Sequence, residues 1–243
     1  MPDNKNNNMI NRYALTLKLT WHYLLVLTGL LVFFYFTAPV LMPLPALLII
    51  FTLYFFRNPR RDIPTEENLI LSPSDGVILE IDEVYEDKFI RDRAIRVNIF
   101  LSIYNVHINR SPLPGEVKYR HYRPGKFIPA FKSHASEINE KNFIGIENQS
   151  FKLMVCQITG FIARRIKCWA DEGKKLAGGE IIGVIKFGSG TELFIPAGSM
   201  LMVKKGDKVK AGETVIGTLP VLIKETECRC EQVRATTELV YRR

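Results

Sequence analysis

The sequence predicts an α+β fold that is mainly β: a compact barrel- or sandwich-like domain preceded by an N-terminal helical hairpin, transmembrane or re-entrant. Three observations carry this expectation. From Leu19 to Phe56, 38 consecutive residues contain no Asp, Glu, Lys or Arg. After Arg61 the hydrophobic residues fall into short runs of period near two, broken by Gly, Pro and Asp-Gly. Ten of the 16 glycines then lie within the 45 residues from Gly173 to Gly217, a stretch that must turn sharply and often.

Composition narrows the possibilities. A chain of 243 residues that is 47% hydrophobic and 24% charged can bury a real core, which excludes a disordered chain, a collagen-like repeat and a disulfide-stapled miniprotein. Of the four cysteines, Cys228 and Cys230 form a CxC with no second pair, and every His lies upstream of it. No metal site is expected, and free thiols in a reducing compartment fit better. The net charge of +8 suits an anionic membrane surface or a nucleic acid. No run of Lys and Arg interleaved with aromatics marks a nucleic-acid patch, so the membrane surface is favoured.

Taken in order, residues 1–18 read as a cytoplasmic N-terminal segment and 19–56 as the membrane-anchoring hairpin. Residues 19–36 have about the length that spans a bilayer. Pro39, Pro43 and Pro45 then interrupt helix continuity, and a second run from Leu44 or Ala46 to Phe56 is only marginally long enough to cross. Arg12 and Lys18 precede the first run, while Arg57, Arg60 and Arg61 follow the second. Positive charge at both ends favours a hairpin with both ends cytoplasmic. A cleaved signal peptide is excluded by the length of the apolar stretch and the lack of a small-residue cleavage site.

Residues 57–243 form the remaining domain, expected to face the cytoplasm. Strands are expected at Asn68–Leu71, Val77–Ile81, Ala94–Ile103, Lys152–Ile158, Ile181–Phe187, Leu193–Ile195, Met200–Val203 and Thr214–Leu219. Helical periodicity is weak and confined to Ala135–Asn142 and Ile162–Ala170. The run from Val203 to Glu213 has the look of a biotinyl/lipoyl-like half-barrel, and Ser72–Val77 supplies a complementary half. Lys204 and Lys205 stand in the wrong part of that motif for a carrier lysine, so the shape is expected and the carrier role is not.

Three motifs carry possible chemistry. Phe187-Gly188-Ser189-Gly190-Thr191 reads either as a Gly-Ser-Gly turn or as a self-reacting bond. In the second reading the Ser hydroxyl attacks the carbonyl before it and converts amide to ester. Elimination then leaves dehydroalanine, which hydrolyses to a pyruvoyl group able to form a Schiff base with a substrate amine. Asn105-Val106-His107-Ile108-Asn109-Arg110 ends an apolar strand; its imidazole is either a hydrogen-bonded strand histidine or a general acid or base. Ser72-Pro73-Ser74-Asp75-Gly76 is a turn signal, or it presents Asp75 as the third member of a triad that orients an imidazole.

Together, in this order and behind an apolar hairpin, these motifs resemble the phosphatidylserine decarboxylase proenzyme family in its short membrane-anchored form. The resemblance covers nearly the whole chain. It includes Phe55-Phe56-Arg57-Asn58-Pro59-Arg60-Arg61, Tyr122-Arg123-Pro124-Gly125-Lys126-Phe127 and Ala163-Arg164-Arg165-Ile166 as well as the three motifs above. It implies a pyruvoyl-dependent decarboxylase that converts phosphatidylserine to phosphatidylethanolamine and CO2 through a Schiff base. The precursor cuts itself between Gly188 and Ser189, giving a β chain (1–188) and an α chain (189–243) that remain together as a heterodimer. Ser189 becomes the covalent pyruvoyl group, with no metal and no pyridoxal phosphate. Asp75 and His107 match positions that support self-cleavage, and His107 also assists decarboxylation. The phospholipid substrate stays in the membrane, and no nucleic acid is involved. Phe127, Ile128 and Phe131, beside Arg123, Lys126 and Lys132, read either as a lipid-facing loop or as an ordinary surface loop.

Two departures stand out. Long-form relatives carry two histidines three apart, whereas Arg110 stands three after His107; one imidazole then serves both stages, or another group such as His134 contributes. Many short-form relatives follow Gly-Ser with Arg-Val-Asp, where this chain has Gly190-Thr191-Glu192. The rival readings are a non-enzymatic membrane-tethered adaptor built on a biotinyl/lipoyl-like barrel, and a pyruvoyl enzyme acting on a soluble amino acid.

Overall fold

The computed structural model describes residues 3–66, 68–126, 138–148, 151–160, 165–186 and 189–220. Helix α1 (Asp3–Thr37) ends before Pro39, which lacks the N–H needed to continue it. A 3-10 turn over Pro39–Leu41 leads into α2 (Pro43–Phe55), whose first residue is a proline that loses no helical hydrogen bond there. The two helices pack against each other as a hairpin. Their outer faces expose Leu25, Val26, Phe33, Phe36, Leu47 and Ile50, a surface unsuited to water. Within α1, the stretch from Arg12 to Thr37 is long and apolar enough to cross a membrane.

The hairpin base is different. Leu19, Phe55 and Phe56 are buried in one cluster with Val106, Ile108 and Val184 of the β domain. Thr16 Oγ1 also donates to the Phe56 carbonyl at 3.0 Å, closing the base of the two helices.

Fourteen strands follow among the described residues. They are β1 (Leu69–Leu71), β2 (Gly76–Glu86), β3 (Asp92–Leu101), β4 (Ile108–Arg110), β5 (Gly115–Arg123), β6 (Lys141–Asn148) and β7 (Phe151–Thr159), then β8 (Ile166–Cys168), β9 (Lys175–Leu176), β10 (Ile181–Ile185), β11 (Ser189–Pro196), β12 (Met200–Leu201), β13 (Lys208–Val209) and β14 (Val215–Thr218). An eight-stranded sheet runs β13-β2-β3-β11-β7-β6-β5-β9, and two three-stranded sheets run β1-β14-β12 and β4-β10-β8. Every pairing between these strands is antiparallel. Register irregularities at Ile78/Glu80 in β2 and Val117/Tyr119 in β5 help the large sheet to curl.

Alternation along the strands separates the two faces. Val97, Ile99, Val155, Leu193, Ile195, Ile144 and Ile146 belong to the main core. Ala94, Met154, Cys156, Phe143 and Phe194 project to the other face and pack with Phe89. The main core also takes in Ile216 and Leu219, so the C-terminal strands are integral to it.

The mainly β expectation holds, and the eight expected strands all overlap observed ones in the described residues. The two short helices need correction in part: Ile138 is helical, but the other described residues of both segments are not. Residues 141–142 open β6, where Phe143, Ile144 and Ile146 are buried across both faces of the sheet. Ile166–Cys168 pairs with β10 as strand β8. Residues 135–137 and 162–164 of those two segments lie outside the described residues. Strand β5 escaped prediction because Lys118, Arg120, His121 and Tyr122 are exposed across both of its faces, leaving little alternation to read.

Asp75-Gly76 also has a different basis from the expected turn. Gly76 opens β2 and is absent from the glycines with positive φ. Its requirement is close approach: a Cβ there would sit 2.2 Å from the Phe100 carbonyl oxygen. Gly76→Ala is therefore expected to destabilise the domain by more than about 2 kcal/mol. Gly190→Ala, whose added Cβ meets nothing closer than 3.7 Å, should stay within roughly 0.5 kcal/mol. Denaturant unfolding of the detergent-solubilised protein compares the two directly.

Candidate active site

Ser189 is the first residue of β11, the strand at the centre of the large sheet. Its backbone stands opposite Leu101 of β3 on one side and Thr159 of β7 on the other. The preceding strand, β10, belongs to a different sheet, so the chain changes sheets between Ile185 and Ser189. Phe187 and Gly188, at that crossing, lie outside the described residues, as do His134, the 127–132 loop segment, Ala163-Arg164, Cys228 and Cys230.

His107 immediately precedes β4, and its carbonyl accepts the Ile185 N–H at 3.1 Å. Ile185 is four residues before Ser189, a length of chain that reaches at most about 14 Å. The backbones of His107 and Ser189 are thus held in one neighbourhood. The ring is 1% exposed and lies against Phe55, with centroids 4.2 Å apart.

The tautomer follows from the ring's partner. Nδ1 is 3.0 Å from the Asn105 carbonyl oxygen. A carbonyl oxygen only accepts, so Nδ1 carries the proton of the neutral ring and Nε2 is its basic nitrogen. Asn105 is itself fixed, since its Oδ1 accepts from the Ser102 N–H and hydroxyl at 2.9 and 2.8 Å. Burial pushes the His107 pKa down from 6.5 to about 4; the Asn105 carbonyl opposes this and the Arg57 charge adds to it. At neutral pH the ring is an uncharged base.

Asp75 is also buried, but its carboxylate turns elsewhere. Arg61 Nη2 donates to both of its oxygens at 2.8 Å, and the Ala211 N–H donates to Oδ1 at 2.8 Å. Among the described residues, Asp75 makes no hydrogen bond to His107. The direct orienting contact expected of a triad's third member is not what this arrangement provides, because Asn105 occupies Nδ1 and Arg61 occupies the carboxylate.

A chain of buried polar side chains connects these parts, and motif reading missed most of it. Asn109 Oδ1 accepts from Gln157 Nε2 at 2.7 Å, and Gln157 Oε1 accepts from Asn142 Nδ2 at 2.9 Å. Asn109 Nδ2 makes longer contacts, 3.4 Å each, to Thr191 Oγ1 and to the Pro73 carbonyl. All four of these side chains are at most 2% exposed, and Thr191 is two residues from Ser189. Beside them in the chain, the wholly buried Ser74 hydroxyl has no hydrogen-bond partner among the described residues. Register aligns Asn142, Gln157 and Thr191 across the large sheet, and packing of the sheet that holds β4 brings Asn109 to them; only Asn109, Ser74 and Thr191 stood inside a recognised motif.

The opposite face of β11 carries Glu192, 1% exposed and 3.2 Å from Lys141 Nζ. Arg96 Nη1 approaches its other oxygen at 3.7 Å. A cavity of about 250 Å³ opens there, lined by Arg96, Arg123, Lys141, Glu192, Met154 and Phe194 among others. Among the described residues no group of three His, Cys, Asp or Glu converges as a metal site would.

A depressed histidine pKa has a signed consequence. Because the unfolded chain takes up the proton near pH 6.5 and the folded chain only near 4, His107 subtracts stability as pH falls through that window. The loss is at most about 3 kcal/mol. The His107 ring resonance is expected to titrate near pH 4 by NMR in detergent. Phe55→Ala, which admits water to the ring while Arg57 and the Asn105 carbonyl stay in place, should move the midpoint up towards 6.5. A midpoint near 6.5 in the unaltered protein would contradict this account of the site.

Comparison with known proteins gives the arrangement a context. The family model described as phosphatidylserine decarboxylase matches residues 48–217. A phosphatidylserine decarboxylase proenzyme from Carboxydothermus hydrogenoformans is 52% identical over 174 residues, covering 71% of this chain and 82% of the relative. One from Symbiobacterium thermophilum is 43% identical over 201 residues, covering 82% of this chain and 94% of the relative. Another, from Chlorobium phaeobacteroides, is 44% identical over 74% of this chain and 86% of its own length. The matched region runs from within α2 to β14 and takes in Arg61, Asp75, His107 and Ser189, so the chain belongs to the phosphatidylserine decarboxylase family.

Proposed function

We propose that this chain is a self-processing decarboxylase that converts phosphatidylserine to phosphatidylethanolamine and CO2, using a pyruvoyl group made from its own Ser189. The observation that carries this reading is the pairing of a buried, neutral imidazole with the strand that leads into Ser189. The relatives' designation as decarboxylase proenzymes agrees with it.

In the processing step, His107 Nε2 takes the Ser189 hydroxyl proton as the oxygen attacks the Gly188 carbonyl and the amide becomes an ester. Loss of the proton on the Ser189 α-carbon expels the Gly188 carboxylate and leaves dehydroalanine. Water then replaces its nitrogen, which departs as ammonia. Gly190 leaves the start of β11 uncrowded during the shift, with nothing within 3.7 Å of an added Cβ.

The surroundings fit a small carbonyl group at this position. Asn109, Gln157 and Thr191 supply buried polar atoms beside β11, and the Ser74 hydroxyl is an unsatisfied donor in the same loop system. When present, the pyruvoyl ketone supplies an electron sink for the carbanion left as CO2 departs. His107 Nε2, shielded by Phe55, would take a proton from the substrate's ammonium group and return it to the product's carbon. The reading calls for no metal and no pyridoxal phosphate.

The hairpin supplies the membrane side. From Trp21 to Thr37, α1 rises about 25 Å and α2 about 20 Å, against a hydrocarbon core of about 30 Å. Lengths short of that core support a hairpin that enters the bilayer and returns, and Arg12, Lys18, Arg57, Arg60 and Arg61 at its two ends support placing residues 1–18 and 57–243 both on the cytoplasmic face. The pairing of Lys208 and Val209 with Val77 and Gly76, and the bond from the Gly212 N–H to the Ser72 carbonyl at 2.9 Å, support 203–213 and 72–77 as complementary halves of a biotinyl/lipoyl-like barrel. A passive adaptor built on that barrel would leave the placement of His107 and Ser189 without a use.

Denaturing mass spectrometry is expected to find two chains divided after Gly188, the smaller beginning with a pyruvoyl group. Native mass spectrometry should find them as one complex, since β11, β13 and β14 of the smaller chain are paired with β3, β7, β2 and β1. Ser189→Ala should give one uncut chain without decarboxylase activity. A full-length chain that decarboxylates phosphatidylserine would overturn the mechanism.

A further inference from the structure

We propose that Arg61 is a positioning residue for self-cleavage, acting through Asp75 and strand β4, so that the segment leaving the helical hairpin belongs to the processing machinery. The proposal rests on the self-processing reading above.

The starting point is a buried charge in need of a purpose. The Arg61 side chain is 6% exposed and that of Asp75 12%. A buried ion pair is a poor way to gain stability, because desolvation of both charges offsets their attraction. What it does well is hold geometry, and here the held element is the Ser72–Asp75 loop. Asp75 is fixed by Arg61 from one side and by the Ala211 N–H from the other, while Ser72 Oγ donates to the Ser74 carbonyl at 2.7 Å.

That rigid loop then grips β4. The Pro73 carbonyl accepts the Arg110 N–H at 2.9 Å and the longer contact from Asn109 Nδ2. Asn109 reaches Thr191 on the Ser189 strand, and His107 lies two residues before Asn109. Asp75 thus sets the position of both partners in the processing step without touching the imidazole.

The exit segment fastens the same strand a second time. Asn58 Oδ1 accepts from Arg110 Nη2 at 3.1 Å, and Arg110 Nη1 donates to the Gly179 carbonyl at 2.8 Å. Glu213 accepts from Arg61 Nη1 at 3.5 Å and from the Asp62 N–H at 3.3 Å. Phe55, at the start of the segment, covers the His107 ring. One short stretch of chain therefore clamps the loop, the strand and the imidazole together.

The test measures precursor cleavage in the full chain, in detergent, for Arg61→Gln, Arg61→Lys, Asp75→Asn and the double variant R61Q/D75N. Arg61→Gln is expected to slow cleavage by roughly tenfold or more, the scale of a small misplacement of reacting groups. Arg61→Lys should restore part of the rate, and the pH midpoint of cleavage should not move, because the base itself is unchanged. Adding R61Q to D75N should cause no further slowing, as befits two residues acting as one unit. Melting temperatures taken in the uncleavable Ser189→Ala background separate positioning from general loss of fold.

Cleavage of Arg61→Gln at the unaltered rate would overturn the proposal. So would additive slowing in the double variant, or equal slowing of the Gln and Lys variants in proportion to lost melting temperature. If the unaltered chain is itself never cut, the self-processing reading fails and this inference falls with it.

Discussion

Strand β11 is hydrogen-bonded on both sides, to β3 from Ser189 to Pro196 and to β7 from Ser189 to Phe194. Everything else about the site is arranged around that double ladder. It fixes the Ser189 backbone at a sheet end, places Thr191 against the buried polar chain and aims Glu192 at the opposite face. A strand paired on both edges has little freedom to shift, so the backbone of its first residue is held to a narrow range of positions. The surrounding core, with Leu193 and Ile195 wholly buried, would keep the strand in place through the backbone cut proposed before it.

The second organising feature is the meeting of the hairpin base with β4. Phe55 and Phe56 are among the most deeply buried side chains in the molecule, although they close a segment otherwise exposing apolar residues. Their burial does two things at once. It anchors the helices to the β domain through ordinary apolar packing, and it removes water from His107. The imidazole's neutrality is thus a by-product of how the hairpin docks. The same docking brings Arg57 near the ring, and the cation disfavours its protonated form further.

Much of this was legible in the sequence, and the reasons for the remainder are specific. The hairpin and the central strands announced themselves because membrane-length apolar runs and alternating Val, Ile and Phe are strong local signals. Ser189 and His107 stood out through unusual neighbours. The partner of Asp75 did not: Arg61 is 14 residues away, and the other contributors to its setting, Ala211 and Glu213, are far along the chain. Gln157 and Asn142 look like ordinary polar positions until register pairs them and the packing of a second sheet sets Asn109 against them. Strands β5 and β6 were hidden for a similar reason, since charge on one and burial across both faces of the other erase the simple alternation.

The short tether between the helices and the site has a consequence for how the reaction meets its substrate. With Phe55 touching His107, the imidazole cannot move far from the base of the hairpin. On the proposed reading, a lipid reaches it by lateral diffusion and is never lifted into bulk water. The concentration that governs turnover is then a surface density, the mole fraction of substrate among its neighbouring lipids. Diluting the whole suspension would leave the rate per enzyme nearly constant, whereas adding inert lipid or detergent to the same particles would lower it.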